Sequence, residues 1–194
     1  MTPKRKQRIE SVLDRRQPTL AVVLENVDDP HNVGAILRSC DAFGVLDVHL
    51  LYTGGKSVRL REVRSKSAAS AAKWLRLTKW DSTKKLVKEL KKKKFQIAVT
   101  ALGKKSKDPK NVDLTKPIAI VIGNEHDGVS PQMQKLADLN LILPMQGFIQ
   151  SFNVSVATAL LLYEAYRQRE KKGLYKKSQL KAAERKKILK SWMA

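Results

Sequence analysis

Leu20-Ala21-Val22-Val23-Leu24 runs through the polar turn Glu25-Asn26-Val27-Asp28-Asp29-Pro30-His31-Asn32 into Val33-Gly34-Ala35-Ile36-Leu37-Arg38-Ser39-Cys40, and after Gly44 the chain is apolar again at Val45-Leu46-Asp47-Val48-His49-Leu50-Leu51. Val33, Ile36, Leu37 and Cys40 recur at helical spacing, which predicts a helix with one buried face that ends before Gly44. The flanking runs are nearly continuous in Ala, Val, Ile and Leu rather than alternating, as expected of strands covered on both faces. Strand, helix and strand in that order make a crossover unit of a parallel sheet.

Three more apolar runs, at residues 95–102, 118–122 and 139–143, extend the same pattern, so the sequence predicts an α/β fold: a parallel sheet flanked by helices. Ser130 before Pro131 predicts an N-cap and first turn leading towards Asp138. A long helix is predicted over 154–169, burying Val156, Ala159, Leu160 and Tyr163, and residues 84–94 read as the lysine-rich outer face of a helix preceding a strand. In an open parallel sheet, ligands bind beyond the carboxyl ends of the strands. The segments there are polar and distinctive: residues 25–32, Thr100-Ala101-Leu102-Gly103, Gly123-Asn124-Glu125-His126-Asp127-Gly128, and the stretch from Pro144 to Asn153.

The chain has 194 residues, 42% of them hydrophobic, enough for one domain with a real core. Lys and Arg number 39 against 18 Asp and Glu, a formal charge of +21, which points to a polyanionic partner, most commonly a nucleic acid. Much of this charge lies in two extensions. Residues 1–19 carry Lys4, Arg5, Lys6, Arg8, Arg15 and Arg16, with Ile9, Val12 and Leu13 as the stripe of a docked helix; between Arg167 and Lys190 there are eleven Lys or Arg against Glu170 and Glu184. The expected organisation is a basic N-terminal extension at 1–19, a core domain at 20–169 and a basic C-terminal extension at 170–194. Cys40 is the sole cysteine, which excludes an internal disulfide and suits a reducing cytoplasm. His31, His49 and His126 lack metal-ligand spacing, so no metal is expected, and no run is long enough to cross a membrane.

Two nucleotide motifs fail. Gly54-Gly55-Lys56-Ser57 lacks the earlier glycine of a P-loop, and no G-x-G-x-x-G follows the first strand. A hydrolase triad of Ser151, His126 and Asp127 lacks a nucleophile-elbow sequence. Asn32 and Arg38 carry more. With Asn32 as the helix cap, Arg38 lies one turn beyond Gly34 and leans back towards the polar edge; the bland alternative pairs Arg38 with Asp41.

Taken together, the segment from Asp29 to Gly44, then Ile120-Val121-Ile122-Gly123-Asn124-Glu125-His126-Asp127-Gly128-Val129-Ser130, then Leu143-Pro144-Met145 through Gln150-Ser151-Phe152-Asn153-Val154-Ser155-Val156-Ala157 resemble the three motifs of the SpoU family within the SPOUT class of methyltransferases. The segment Arg15-Arg16-Gln17-Pro18-Thr19-Leu20, the ending Tyr166-Arg167-Gln168-Arg169 and the two extensions resemble the branch that methylates a D-loop guanosine of tRNA. The resemblance implies a C-terminal deep trefoil knot, S-adenosyl-L-methionine as cofactor, a homodimer, and 2'-O-methylation of a ribose. By motif position it implies Asn32, Arg38, Glu125, Ser151 and Asn153 as catalytic residues. It implies Thr100, Ile122, Gly123, Leu143, Met145, Ser151, Phe152 and Val154 as the cofactor pocket. Phe152 stands where relatives carry leucine, and Ser65-Lys66-Ser67-Ala68-Ala69-Ser70 replaces their glycine-rich segment. Competing expectations are a ribose methyltransferase acting on rRNA or on the tRNA wobble nucleotide, and a non-catalytic basic RNA-binding protein.

Overall fold

A computed structural model describes residues 1–54, 57–58, 71–101 and 106–193. Parts of the P-loop-like stretch, the serine-rich segment at 65–70, and Leu102 and Gly103 lie outside these residues. Six strands form one sheet: β1 (Gln17–Glu25), β2 (Val45–Leu51), β3 (Arg76–Trp80), β4 (Gln96–Thr100), β5 (Ile118–Ile122) and β6 (Leu139–Leu141). Their order is β3-β2-β1-β5-β4-β6, with every neighbouring pair parallel. The helices are α1 (Pro3–Asp14), α2 (Pro30–Ala42), α3 (Thr83–Lys92), α4 (Pro131–Leu136), α5 (Val154–Lys171) and α6 (Ala182–Met193).

The sheet is covered on both faces. Leu20, Val22, Leu24, Val48, Ile118 and Ile120 pack with Ile36, Leu37 and Cys40 of α2 and Leu161, Leu162 and Ala165 of α5. Ala21, Val23, Ile97, Val99, Ala119 and Val121 pack on the other side with Leu86, Val87 and Leu90 of α3 and Met133 of α4. Alternate residues of the central strands thus enter opposite cores, which explains their unbroken apolar runs.

The strand missed from sequence is β3. It is a short edge strand of mixed charged, polar and apolar residues, Arg76-Leu77-Thr78-Lys79-Trp80, and none is fully buried. β1 begins at Gln17 rather than Leu20, across a register irregularity that spans Pro18, a residue with no N–H to give the ladder. β6 is shorter than the apolar run that predicts it.

The face of α5 also differs from expectation. Its buried residues are Val154, Thr158, Leu161, Leu162, Ala165 and Arg169, whereas Val156, Leu160 and Tyr163 are 45%, 42% and 54% exposed and Ala159 is half-buried. This helix is apolar on two sides, and periodicity alone does not tell which one meets the sheet.

The terminal helices pack together at the amino ends of the strands. Ile9 and Leu13 of α1 and Trp192 of α6 share a small core with Leu46 and Leu180. Arg185 donates to both oxygens of Asp14 at 2.6 and 2.9 Å, and Arg76 bridges Asp47 and Glu184.

Arg169 closes α5 onto the sheet and is 0% exposed. Its Nε donates to Leu114 O (2.9 Å), Nη1 to Thr19 Oγ1 (2.9 Å) and Gln17 Oε1 (3.2 Å), and Nη2 to Thr19 O and Lys116 O (both 3.0 Å). All five N–H groups of a guanidinium are thereby satisfied, each by an uncharged acceptor. Burial pulls its pKa down to about 10, so it stays charged near neutrality.

On β2, His49 Nδ1 accepts from Trp80 Nε1 at 3.1 Å, and burial holds its pKa below the ordinary 6.5. The unfolded chain therefore binds the proton first, and this contribution to stability is lost as pH falls below about 6.5. Thermal unfolding of wild type and His49→Phe between about pH 7 and pH 5 is expected to show a steeper loss for wild type. Parallel curves would remove His49 from the acid response.

Candidate active site

The turns after β1 and β5 are built as one unit. Glu25, buried at the end of β1, accepts from Ser130 N (2.9 Å) and Ser130 Oγ (2.7 Å); the same hydroxyl caps α4 by accepting from Met133 N. Asn26 sits in the left-handed region at φ 55, which asparagine tolerates, and its carbonyl accepts from Asn124 Nδ2 at 2.9 Å. Asn124 Oδ1 accepts from the backbone N–H of His126 and Asp127, and its own N–H and C=O pair with Gly128. A Cβ on Gly123 would lie 2.1 Å from the Gly128 carbonyl carbon and 2.3 Å from Val129 N, so this turn admits only glycine. Glu25, Asn26 and Asn124 are site-building residues that sequence reasoning missed. Glycine and asparagine in polar turns were the available signal.

Asp29, not Asn32, caps α2: its Oδ1 accepts from His31 N at 2.9 Å. The Asn32 side chain is left to join other loops. Its Nδ2 donates to Glu125 Oε1 at 2.6 Å, and its Oδ1 accepts from Asn153 Nδ2 at 3.1 Å. Asn153 is the N-cap of α5, accepting from Ser155 N and Oγ at 2.8 and 2.6 Å. A carboxylate and two amides thus tie together the turns leaving β1, β5 and β6.

Arg38 lies nearly two turns further along α2, with an exposed side chain. The expected alternative partner is taken, because Asp41 pairs with Arg16. Among the described residues no carboxylate pairs with Arg38. Ser151 is exposed two residues before Asn153, and no described hydrogen bond links it to His126.

The expected pocket residues fall at the ends of three adjacent strands. Thr100 ends β4 and donates through Oγ1 to Val121 O at 3.3 Å; Ile122 ends β5 and is buried, as is Gly123. Beyond β6, Leu143 and Met145 are half-buried, and Val154 is buried in the first turn of α5. Leu143 and Phe152 line a cavity of about 290 Å³ together with Pro109, Pro144, Leu160 and Tyr163. The other named residues do not line it. Asp108, Lys110 and Glu164 complete its wall. Among the described residues no cluster of His, Cys, Asp and Glu could hold a metal ion.

Residues 19–163 match the profile of the SpoU rRNA methylase family. The chain is 43% identical over 192 residues to a tRNA (guanosine(18)-2'-O)-methyltransferase of Thermus thermophilus, covering 99% of this chain and 97% of that one. Its fold matches the crystal structure of an Aquifex aeolicus TrmH/SpoU tRNA modifying enzyme with a TM-score of 0.87 at 41% identity, covering 97% and 94% of the two chains. It also matches a SpoU methyltransferase from Streptomyces viridochromogenes solved with AdoMet, with a TM-score of 0.68 at 25% identity over 81% of this chain and 59% of that one.

Proposed function

The chain belongs to the SpoU rRNA methylase family, and on that premise we propose that it transfers a methyl group from S-adenosylmethionine to the ribose 2'-hydroxyl of the D-loop guanosine of tRNA. The observation that carries this reading is the near-complete match, both basic extensions included, to an enzyme named for that reaction. A charge of +21 suits an RNA substrate.

S-adenosylmethionine supplies a methyl carbon on a sulfonium that needs no activation. The protein's task is the other partner, because a ribose hydroxyl is a poor nucleophile until its developing negative charge is stabilised. A guanidinium offers five N–H donors and no acceptor, so Arg38 acts by holding phosphate and stabilising the oxyanion, not as a base. Asn32 and Glu125 orient Arg38 or the ribose, and Ser151 and Asn153 order the loop that opens α5. Thr100, Ile122, Gly123, Leu143, Met145, Ser151, Phe152 and Val154 hold the cofactor, largely through backbone groups.

Three further features belong to this reading. The segment from β6 into α5 is threaded as a deep trefoil knot. Two copies form a homodimer, for which the exposed stripe Val156, Leu160 and Tyr163 is the natural seam; sedimentation at the monomer mass would refute it. Residues 1–19 and 170–194 serve as RNA-gripping extensions of the 20–169 core, in an enzyme that works in the cytoplasm. Among the described residues no helix is long and apolar enough to cross a membrane.

The test is to incubate the protein with unmodified tRNA and labelled cofactor, then map the methylated nucleotide by nuclease digestion and mass spectrometry. A 2'-O-methylated D-loop guanosine is expected. Methylation only at the wobble nucleotide or only on rRNA would overturn the substrate, and no transfer to any RNA would leave a binding protein.

A further inference from the structure

α2 carries Asn32 near one end, in the tie with Glu125 and Asn153, and reaches its other end at Gly44, beside the amino ends of the strands. Groups from both terminal extensions enclose that second end. Arg16 is fully buried; its Nη1 donates to Asp41 O (3.2 Å) and Val45 O (3.0 Å), and its Nη2 meets the Asp41 carboxylate. The same guanidinium lies 5.2 Å from the ring centroid of Trp192 in α6, and its Nε has no hydrogen-bond partner among the described residues. Tyr175 Oη donates to the carbonyl of Phe43, the C-cap of α2, at 2.8 Å. Its ring lies 5.3 Å from that of Tyr166, which in turn lies 5.8 Å from Phe43. Gly44 has φ +78, and a Cβ there would come within 2.8 Å of Arg15 O and 3.2 Å of the Tyr175 ring. The joint leaves no room for a side chain.

We propose that Arg16 and Tyr175 are positioning residues: they fasten the far end of α2 to the C-terminal extension and so set where Arg38 meets the ribose. The inference rests on the role given above to Arg38. The last carbonyls of a helix lack partners within it, and here donors from outside the helix take them, with a cation where the dipole favours one. Packing along α5 fixes the flank of α2, while these contacts fix its end. Arg38 lies five residues before Phe43, about 7.5 Å of helix, so a tilt of about 8° at the joint moves its backbone by about 1 Å. Displacements of that size cost up to about a hundredfold in rate. Arg16 is too buried to touch RNA, so its role cannot be a phosphate grip.

Tyr175→Phe removes one hydroxyl and little else. Single-turnover methyl transfer at saturating tRNA and cofactor, measured well below the melting temperature, is expected to fall about tenfold, while both dissociation constants change less than about twofold. Arg16→Met is expected to fall further, and Arg16→Lys, which keeps a cation beside Asp41, to recover part of that loss. An unchanged rate with a lowered melting temperature would reduce the joint to packing and overturn the proposal. So would weakened tRNA binding with a normal rate at saturation. If Arg16→Met fails to fold, Tyr175→Phe decides alone. An inactive wild type would remove the enzymatic reading and this one with it, whereas an active wild type with an unaffected Tyr175→Phe would remove this one only.

Discussion

Arg38→Ala is expected to lower single-turnover methyl transfer by about 10²- to 10⁴-fold while leaving the calorimetric affinity for S-adenosylmethionine nearly intact. The two halves of that result have separate physical sources. Arg38 sits on α2, whereas the expected cofactor residues sit at the ends of β4, β5 and β6 and at the start of α5. In the proposed role, removing the guanidinium takes away a donor for the developing charge, and it alters no turn after β4, β5 or β6. Arg38→Lys keeps the charge but loses the planar fork, and should recover only a small part of the rate. Near-normal turnover by the alanine variant would remove Arg38 from the mechanism. Equal loss of cofactor binding would mean that α2 had shifted instead.

Arg169→Ala should reduce the free energy of unfolding by about 3–5 kcal/mol, measured by urea denaturation. Its five contacts reach three carbonyls, a hydroxyl and an amide on segments far apart in the chain. Truncation leaves those acceptors buried without donors, and each orphan costs about 1–3 kcal/mol before water or relaxation offsets part of it. Neighbouring Arg167 makes the useful contrast. It is exposed and, among the described residues, pairs only with Glu164, one turn back on α5, so Arg167→Ala should cost less than about 1 kcal/mol. A loss below about 1 kcal/mol for Arg169→Ala would show that the site repacks or floods without penalty.

How much of this was legible in the sequence depended on whether local pattern or distant contact decides. Runs of Ala, Val, Ile and Leu revealed β1, β2, β4, β5 and β6, because strands buried on two faces need little else. β3 is an edge strand with a charged residue on each face, Arg76 and Lys79, and Arg76-Leu77-Thr78-Lys79-Trp80 carries no such signature. The helical spacing of Val33, Ile36, Leu37 and Cys40 gives α2, but the structure places its cap at Asp29 rather than Asn32, one turn earlier. On α5 the apolar positions were read correctly as apolar and assigned to the wrong side, since Val156, Leu160 and Tyr163 point away from the sheet. The tie between Asn32, Glu125 and Asn153 joins residues up to 121 positions apart, and no spacing rule finds it. Family resemblance named those residues, and the structure brings these three together. The partners of Arg16 and Arg169 were likewise out of reach, because a buried arginine looks like any other basic residue on the page.

That Arg169 is fastened by dipoles and not by counter-ions has a practical consequence. Ionic strength screens exposed charges strongly and hydrogen bonds in a dry interior hardly at all. Adding salt should therefore weaken the binding of tRNA to this basic protein while the seam between β1 and α5 stays shut. An enzyme made this way can release a product held by many phosphates without loosening its own frame.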